Sequence, residues 1–359
     1  MYNTFENSLR AYAGAGKAGE REEIMQYTKL GRTGLTISRL GFGGIPIQRI
    51  DAKATKALIR QLAEAGVNYI DTARGYTVSE SYLGEALEGI RDQFVLATKS
   101  MARTKDAMAA DIETSLGNLR TSYIDLYQVH NPNMEQLEQV LAPGGALEAL
   151  LEARAAGKIG HIGITAHAKE VFEKALTLDW VETIMFPYNI VENQGEELIA
   201  RSKEKGIGFI AMKPLAGGAI EDASLAIRYV LQNDAVTVVI PGMAAPQELA
   251  QNLAAAEDEG PLSQEEQERA RAVREELGTQ FCRRCNYCAP CTVGISIPNV
   301  FLMQGYLRRY GLGDWARARY GAMETKAGAC VECGDCETRC PYQLPIRQMM
   351  RQAAQDFGE

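Results

Sequence analysis

Ile124-Asp125-Leu126-Tyr127-Gln128-Val129-His130 is a short apolar β-type run that ends on an imidazole. Runs of this kind recur about every thirty residues from position 27 to 257, each followed by an amphipathic stretch that stops at a glycine or a polar turn. Eight strands are predicted, near Leu40 and over 69–71, 94–98, 124–129, 162–165, 184–188, 208–212 and 236–240. Between them, Met108, Ile112, Leu116 and Leu119 share one helix face, and Leu147, Leu150 and Leu151 do the same ahead of Gly157, a helix stop. Eight alternations of strand and helix predict an α/β fold whose parallel sheet closes into a (β/α)8 TIM barrel. An open doubly wound sheet is the competing architecture. It is weakened because Gly41-Phe42-Gly43-Gly44 stands where a G-x-G-x-x-G phosphate loop would follow the first strand.

A barrel carries its chemistry at the carboxyl ends of its strands. Asp71 ends the second strand and Tyr76 follows in its loop; Lys99 ends the third strand and His130 the fourth. Each residue alone has a bland reading, as a buried ion pair or a rim histidine. Four such residue types on one rim, from three neighbouring strands, point to catalysis. A tyrosine with its ordinary pKa of about 10 is a poor proton donor near neutrality, and a neighbouring ammonium lowers that value. Asp71 is expected to hold Lys99 charged and His130 to align a substrate carbonyl. Tyr76 then protonates the oxygen as hydride reaches the carbon.

Lys29-Leu30-Gly31-Arg32-Thr33-Gly34-Leu35, Leu40-Gly41-Phe42-Gly43, Asp71-Thr72-Ala73-Arg74-Gly75-Tyr76, Ser79-Glu80 with Leu83-Gly84, Ala97-Thr98-Lys99 and Asp125 to His130 together resemble an aldo-keto reductase over roughly residues 27 to 257. The resemblance implies a nicotinamide-dependent oxidoreductase of carbonyl or alcohol substrates. It further implies an extended cofactor held without a Rossmann motif, and the tetrad Asp71, Tyr76, Lys99 and His130. Members of the family usually hold the carboxamide with a Ser-Asn pair after the fifth strand and a glutamine on the sixth, and stack the ring on a tyrosine ending the seventh. Here those stretches read Gly163-Ile164-Thr165-Ala166-His167, Met185-Phe186-Pro187-Tyr188-Asn189 and Met212-Lys213-Pro214-Leu215. Thr165 keeps a hydrogen-bonding group, Met185 and Met212 offer thioethers, and Gly43, Gly44 and Asp71 complete the expected contacts. Asn189 or His167 stands in for the missing amides, or else each is a hydrogen-bonded loop residue.

The loops Leu215-Ala216-Gly217-Gly218 and Pro241-Gly242-Met243 are small enough to bring backbone N–H groups to an anion where barrels bind phosphate. Lys213 adds charge there, unless it is a solvated strand-end lysine. NADPH-dependent relatives grip the 2′-phosphate with a lysine after the eighth strand and an arginine a few residues on, ahead of an adenine-binding asparagine. This chain has Gly242, Glu248 and Asn252 at those places. A carboxylate suits a 2′-hydroxyl better than a phosphate, so NADH is the favoured form of NAD(P)H, with a water-facing Glu248 as the alternative.

All eight cysteines follow residue 281. Cys330-x-x-Cys333-x-x-Cys336-x-x-x-Cys340-Pro341 has the ligand spacing of a [4Fe-4S] cubane, and the fourth cysteine of such a run serves a neighbouring cluster. The companion run is Cys282-x-x-Cys285-x-x-Cys288-x-x-Cys291, with Thr292 where a proline is expected. The pairing assigns Cys282, Cys285, Cys288 and Cys340 to one cluster and Cys330, Cys333, Cys336 and Cys291 to the other. It resembles a bacterial two-cluster ferredoxin with a long insertion. Zinc sites and disulfides are the alternatives; the triple spacing argues against both. With this tail the whole chain is similar to the aldo-keto reductase branch that carries a C-terminal ferredoxin-like domain.

At 359 residues the chain holds a barrel of about 250 residues and a small second domain. The expected division is an N-terminal extension over 1–26, the barrel over 27–260, a linker helix over 261–280 and a small α-helical, ferredoxin-like iron-sulfur domain over 281–359. Gly260-Pro261 breaks the chain, and Ser263 with Glu266 forms a capping box. Residues 1–24 read as a mobile tail or an upstream start. Aromatic-bearing helices over 298–310 and 315–320 pack the domain on the barrel or shield the clusters, and a last helix over 346–357 covers one of them. A net charge of −8 disfavours nucleic acid and anionic membrane partners, and no apolar run approaches the roughly 20 residues of a membrane span. Reduced cluster cysteines point to the cytoplasm. Three functions fit: a reductase whose clusters relay electrons to or from a protein partner, the same reductase with structural clusters, or an electron-transfer protein whose barrel phosphate site holds FMN.

Overall fold

The computed structural model describes residues 25–258 and 260–359; residues 1–24 of the expected N-terminal extension lie outside it. An antiparallel hairpin, β1 (Tyr27–Lys29) and β2 (Thr36–Ser38), precedes eight parallel strands. These are β3 (Phe42–Gly43), β4 (Tyr69–Asp71), β5 (Val95–Ser100), β6 (Ile124–Val129), β7 (Ile159–Thr165), β8 (Thr183–Pro187), β9 (Gly208–Met212) and β10 (Val238–Ile240). Each pairs with the next in chain order, and parallel bridges Leu40↔Val239 and Gly43↔Gly242 join the last strand to the first. The sheet is a closed TIM barrel. The first strand is shorter than predicted: Leu40 makes one bridge, and the ladder proper covers only Phe42 and Gly43.

Strand alternation sets what each side chain meets. Ile70, Leu96, Tyr127, Ile164, Phe186 and Phe209 point outward into the main core beneath the helices. Tyr69, Ala97, Leu126, Met185 and Ile210 point into the barrel, where Leu30 and Ile37 of the hairpin segment join them as a plug. The same parity sends Asp71, Lys99, Gln128 and Met212 into the upper mouth. The predicted face of Met108, Ile112 and Leu116 is the buried one on helix Lys105–Asn118, but helix Ala146–Ala155 buries Ala146, Ala149, Leu150 and Ala153 and leaves Leu151 exposed, because the small alanines let that face pack closest.

Beyond the barrel, helix Gln264–Gly278 opens on the Ser263/Glu266 capping box and packs Ala270 against Leu225 and Phe281. The cysteine-bearing region has its own core, built on helices Ile297–Arg308, Gly313–Gly321 and Ile346–Phe357. Within it the Tyr320 and Phe357 rings stack at 3.7 Å. This region docks on the carboxyl-end face of the barrel through arginines. Arg283 Nε donates to Val191 O at 3.1 Å, Arg309 Nε to Gly217 O at 3.0 Å and Arg319 Nη2 to Gly75 O at 3.1 Å. Arg284 pairs with the fully buried Glu192. Among the described residues no helix is long and apolar enough to cross a membrane.

Gly31 holds the plug in place. Its φ is +53°, and a Cβ there would lie 2.2 Å from Gly208 N. Gly34 also has a positive φ, +75°, but a Cβ there meets nothing within 4 Å. Gly34→Ala is expected to cost about 1 kcal/mol from conformation alone. Gly31→Ala should cost more, at or above the top of the roughly 1–3 kcal/mol range for a strained backbone position, because the backbone contact adds to it. Denaturant unfolding of the two variants checks the order; equal losses would show that the contact with β9 is not tight.

Candidate active site

Asp71 ends β4 as a buried carboxylate. Its Oδ2 accepts from Lys99 Nζ and its Oδ1 from Gln128 Nε2 at 3.0 Å. Lys99 Nζ also donates to Thr72 O at 2.8 Å and lies 5.1 Å from the centroid of the Tyr76 ring. Tyr76 in turn meets His130 edge-on, with ring centroids 6.2 Å apart and an interplanar angle of 87°. The structure thus links Asp71, Lys99, Tyr76 and His130 in one chain of contacts at the barrel mouth.

Burial works against both charges of the Asp71–Lys99 pair. It lifts the carboxyl and depresses the ammonium, and their direct contact opposes it on each side. The Tyr76 phenol is raised by burial first, then by the Asp71 charge and by Tyr310. This differs from the expected lowering by Lys99. The ammonium's donors go to Asp71 and Thr72 rather than to the phenol, so desolvation decides and the Asp71 charge adds to it. His130 is pushed well below its ordinary value by burial and then by Lys99, Arg103 and Lys213. It is therefore a neutral imidazole, and its Nδ1 is a buried atom without a partner. Arg103 holds its backbone by donating to His130 O at 2.8 Å.

Asp71 and Tyr76 open on a cavity that is also lined by Gly43, Gly44, Met185, Met212, Lys213 and Gly242, with Ile45, Ile240, Tyr306 and Tyr310. The three glycines there are explained by barrel closure. A Cβ at Gly43 would lie 3.0 Å from Ile240 O, one at Gly44 2.9 Å from Asp71 O, and one at Gly242 2.5 Å from Pro46 Cγ. Lys213 is pushed far below its ordinary value by burial and then by Arg284, which corrects the reading of a solvated lysine. The cavity fits a flat ring with a polar edge: thioethers and Ile240 on its walls, the tetrad at one side, and unpartnered buried nitrogens on His130 and His167 nearby.

The other expected cofactor residues stand elsewhere. Thr165 Oγ1 accepts from Asn131 N at 2.9 Å. Leu215 packs between two cores, Gly217 lies under Tyr310, and Asn252 is buried on its helix. Met243 is fully buried in the main core, so its side chain does not face the cavity. The 215–218 loop was expected to offer its amides, but Ala216 N donates to Lys213 O and Gly218 N to Leu215 O. Glu248 Oε2 accepts from Ala244 N at 2.6 Å and Ala245 N at 3.1 Å, capping helix Pro246–Glu257, while Oε1 lies 3.7 Å from Arg49. Asn189 is a loop organiser, with its amide given to Glu192 and Lys213 O and its carbonyl to two backbone N–H groups.

The cysteines are all free thiols and ring two cavities. Cys282, Cys285, Cys288 and Cys340 line one; Cys291, Cys330, Cys333 and Cys336 line the other, and Ile297 and Ile346 border both. Among the described residues no three ligand-type side chains converge on a single ion, so the thiols surround a volume rather than a point. Burial and neighbouring thiols push Cys282 up to about 11 and Cys288 up to about 12. Thiolates here need a cationic partner, and iron fits that donor set.

Sequence reasoning passed over Gln128, although its inward parity with Leu126 and His130 was legible in the run itself. It also left open whether the aromatics of 298–310 faced the barrel; nothing in the order of residues places Tyr306 and Tyr310 beside Tyr76.

A family model described as the aldo/keto reductase family matches residues 39–224 and 220–275, and one described as a 4Fe-4S dicluster domain matches 281–345. Aldo-keto reductase YhdN of Bacillus subtilis is 33% identical over 195 residues; the match covers 49% of this chain and 57% of that protein, little more than half its length. L-galactose dehydrogenase of Arabidopsis thaliana is 27% identical over 282 residues, covering 63% of this chain and 86% of that one. The solved structure of aldo-keto reductase AKR11C1 from Bacillus halodurans, in its holo form, superposes with a TM-score of 0.61 at 26% identity, covering 69% and 96% of the two chains.

His130 and His167 are both held neutral by burial. Their folded values lie below the unfolded one, so below about pH 6.5 the unfolded chain takes up protons that the folded chain refuses. Stability is expected to fall as pH drops through that point, by at most about 1.4 kcal/mol per pH unit for each histidine. Unfolding curves at stepped pH check this, and replacing both residues by Gln should flatten the slope.

Proposed function

The chain belongs to the aldo/keto reductase family, and on that premise we propose a cytoplasmic, NAD(P)H-dependent carbonyl reductase, with NADH favoured, whose C-terminal domain carries two [4Fe-4S] clusters. One observation carries the reading: Asp71, Lys99, Tyr76 and His130 form a continuous chain of contacts, and Asp71 and Tyr76 of that chain line a cavity at the barrel mouth.

Bound nicotinamide supplies the hydride. Met185, Met212 and Ile240 would give its ring an apolar bed, and Lys213 lines the same cavity. Neutral His130 donates a ring N–H to the substrate carbonyl oxygen and fixes its direction. Tyr76, whose raised pKa keeps its proton in place, gives that proton to the same oxygen. Lys99, 5.1 Å from the ring, steadies the phenolate left behind, and Asp71 with Gln128 holds Lys99 in position. The NADH preference is supported by the carboxylate of Glu248 beside Arg49, which competes with a 2′-phosphate for that cation.

Helix Ile297–Arg308 supports an electron relay with a protein partner over a purely structural role. Ile297 borders both cysteine cavities, and Tyr306 lines the catalytic one. Nine residues of helix separate them, about 14 Å along the axis.

Tyr76→Phe is expected to lower kcat by about 10²–10⁴-fold while NADH still binds with unchanged Kd; retained turnover would refute the tetrad. The same assays should give a higher kcat/KM with NADH than with NADPH, and parity would overturn the preference. Cys340→Ser and Cys291→Ser should each cost about four irons per chain, and their paramagnetic resonance spectra should differ because different clusters are lost. Identical spectra would contradict the crossed assignment.

A further inference from the structure

The cavity that holds the tetrad is not finished by the barrel. Tyr306 and Tyr310, both from the cysteine-bearing region, line it together with Asp71, Tyr76 and Met212. We propose that the iron-sulfur domain roofs the active site: Tyr306 and Tyr310 are specificity-determining residues that narrow the pocket to a slot for flat, conjugated carbonyl compounds, and Arg309 latches that roof to the barrel. The proposal rests on the reductase reading above.

The roof is held from both sides. On the domain side Tyr306 packs edge-on against Tyr310 and against Trp315, each with centroids 4.8 Å apart, and Arg319 lies 3.9 Å over the Trp315 ring. On the barrel side it meets three loops. Arg319 donates to Gly75 O, one residue before Tyr76. Arg309 Nε donates to Gly217 O, and Tyr310 lies so close to Gly217 that a Cβ there would stand 3.0 Å from its ring and its hydroxyl. Gly311, with φ +63°, turns the chain beside Arg49, where a Cβ would lie 3.3 Å from Arg49 Cδ. Segment 306–311 therefore reaches from the β3 loop at Arg49 to the β9 loop at Gly217, and Arg319 ties the same region to the β4 loop.

The chemistry of the slot follows from its walls. The Tyr306 and Tyr310 rings on the domain side give a guest a polarizable aromatic face, across the cavity from the Met185 and Met212 bed assigned to the nicotinamide. Flat π-systems gain from such contacts by offset or edge-on packing, and a puckered saturated ring does not. The roof also covers the Gly217 loop, so movement of 306–311 and access to that loop are one event.

Two full-chain variants at the rim of the roof test this, because Tyr306 itself is buried in the domain core. With iron content unchanged, Tyr310→Ala should lower the ratio of kcat/KM for benzaldehyde over cyclohexanecarbaldehyde at least tenfold, chiefly through KM; an unchanged ratio overturns the specificity role. Arg309→Ala should speed hydrogen exchange of the amides in 215–218 and 306–311 at least tenfold, and unchanged exchange overturns the roof. Exchange needs neither cofactor nor substrate. If neither aldehyde is turned over, the reductase reading fails, and the exchange result still decides whether the roof exists.

Discussion

The barrel closes through a seam in which there is no room for side chains. Gly43 pairs with Gly242, and any Cβ at either position would press on a backbone carbonyl or on the ring of Pro46. Beside this seam β3 is only two residues long, and the mouth of the barrel lies above it. Everything chemical in the molecule is arranged around that mouth: strand parity points Asp71, Lys99 and Gln128 into it, and the loops after β4, β8 and β9 carry the backbone carbonyls on which the second domain sits.

The tetrad is an expensive arrangement to bury. A carboxylate and an ammonium taken out of water lose hydration that their mutual attraction only partly returns, and the balance is made up by extra hydrogen bonds. Gln128 donates one to Asp71, and the carbonyl of Thr72 accepts one from Lys99. The cost has a use: the Asp71 charge adds to burial in keeping the proton on Tyr76, and the Lys99 charge adds to burial in keeping His130 uncharged. A donor that holds its proton and a neutral imidazole that can orient an oxygen are what a carbonyl reduction asks of its protein.

Docking of the cysteine-bearing region uses arginines on loop carbonyls rather than a broad apolar face. Such carbonyls are the orphan acceptors of turns, and charged donors satisfy them well. The fully buried Glu192, paired with Arg284 next to Cys285, is the exception: a desolvated charge that either partner alone would leave stranded. This interface lets one helix touch both cysteine cavities and the catalytic pocket, so the two chemistries share a structural element.

The fold and the tetrad were legible in the sequence because both are local signals. A period of two residues tells which side chains enter the barrel, and two-residue gaps between cysteines tell which thiols can wrap one corner of a cube; neither needs knowledge of distant contacts. The β1–β2 plug, the burial of Met243 and the roof of Tyr306 and Tyr310 had no such signal. Each depends on surfaces brought together across tens to hundreds of residues, as Arg319 is to Gly75. The sequence by itself determined the barrel, its inward-facing acid, amine and imidazole, and the two cysteine runs. Only the tertiary structure decided which domain completes the pocket, because close packing is settled between partners that spacing along the chain does not encode.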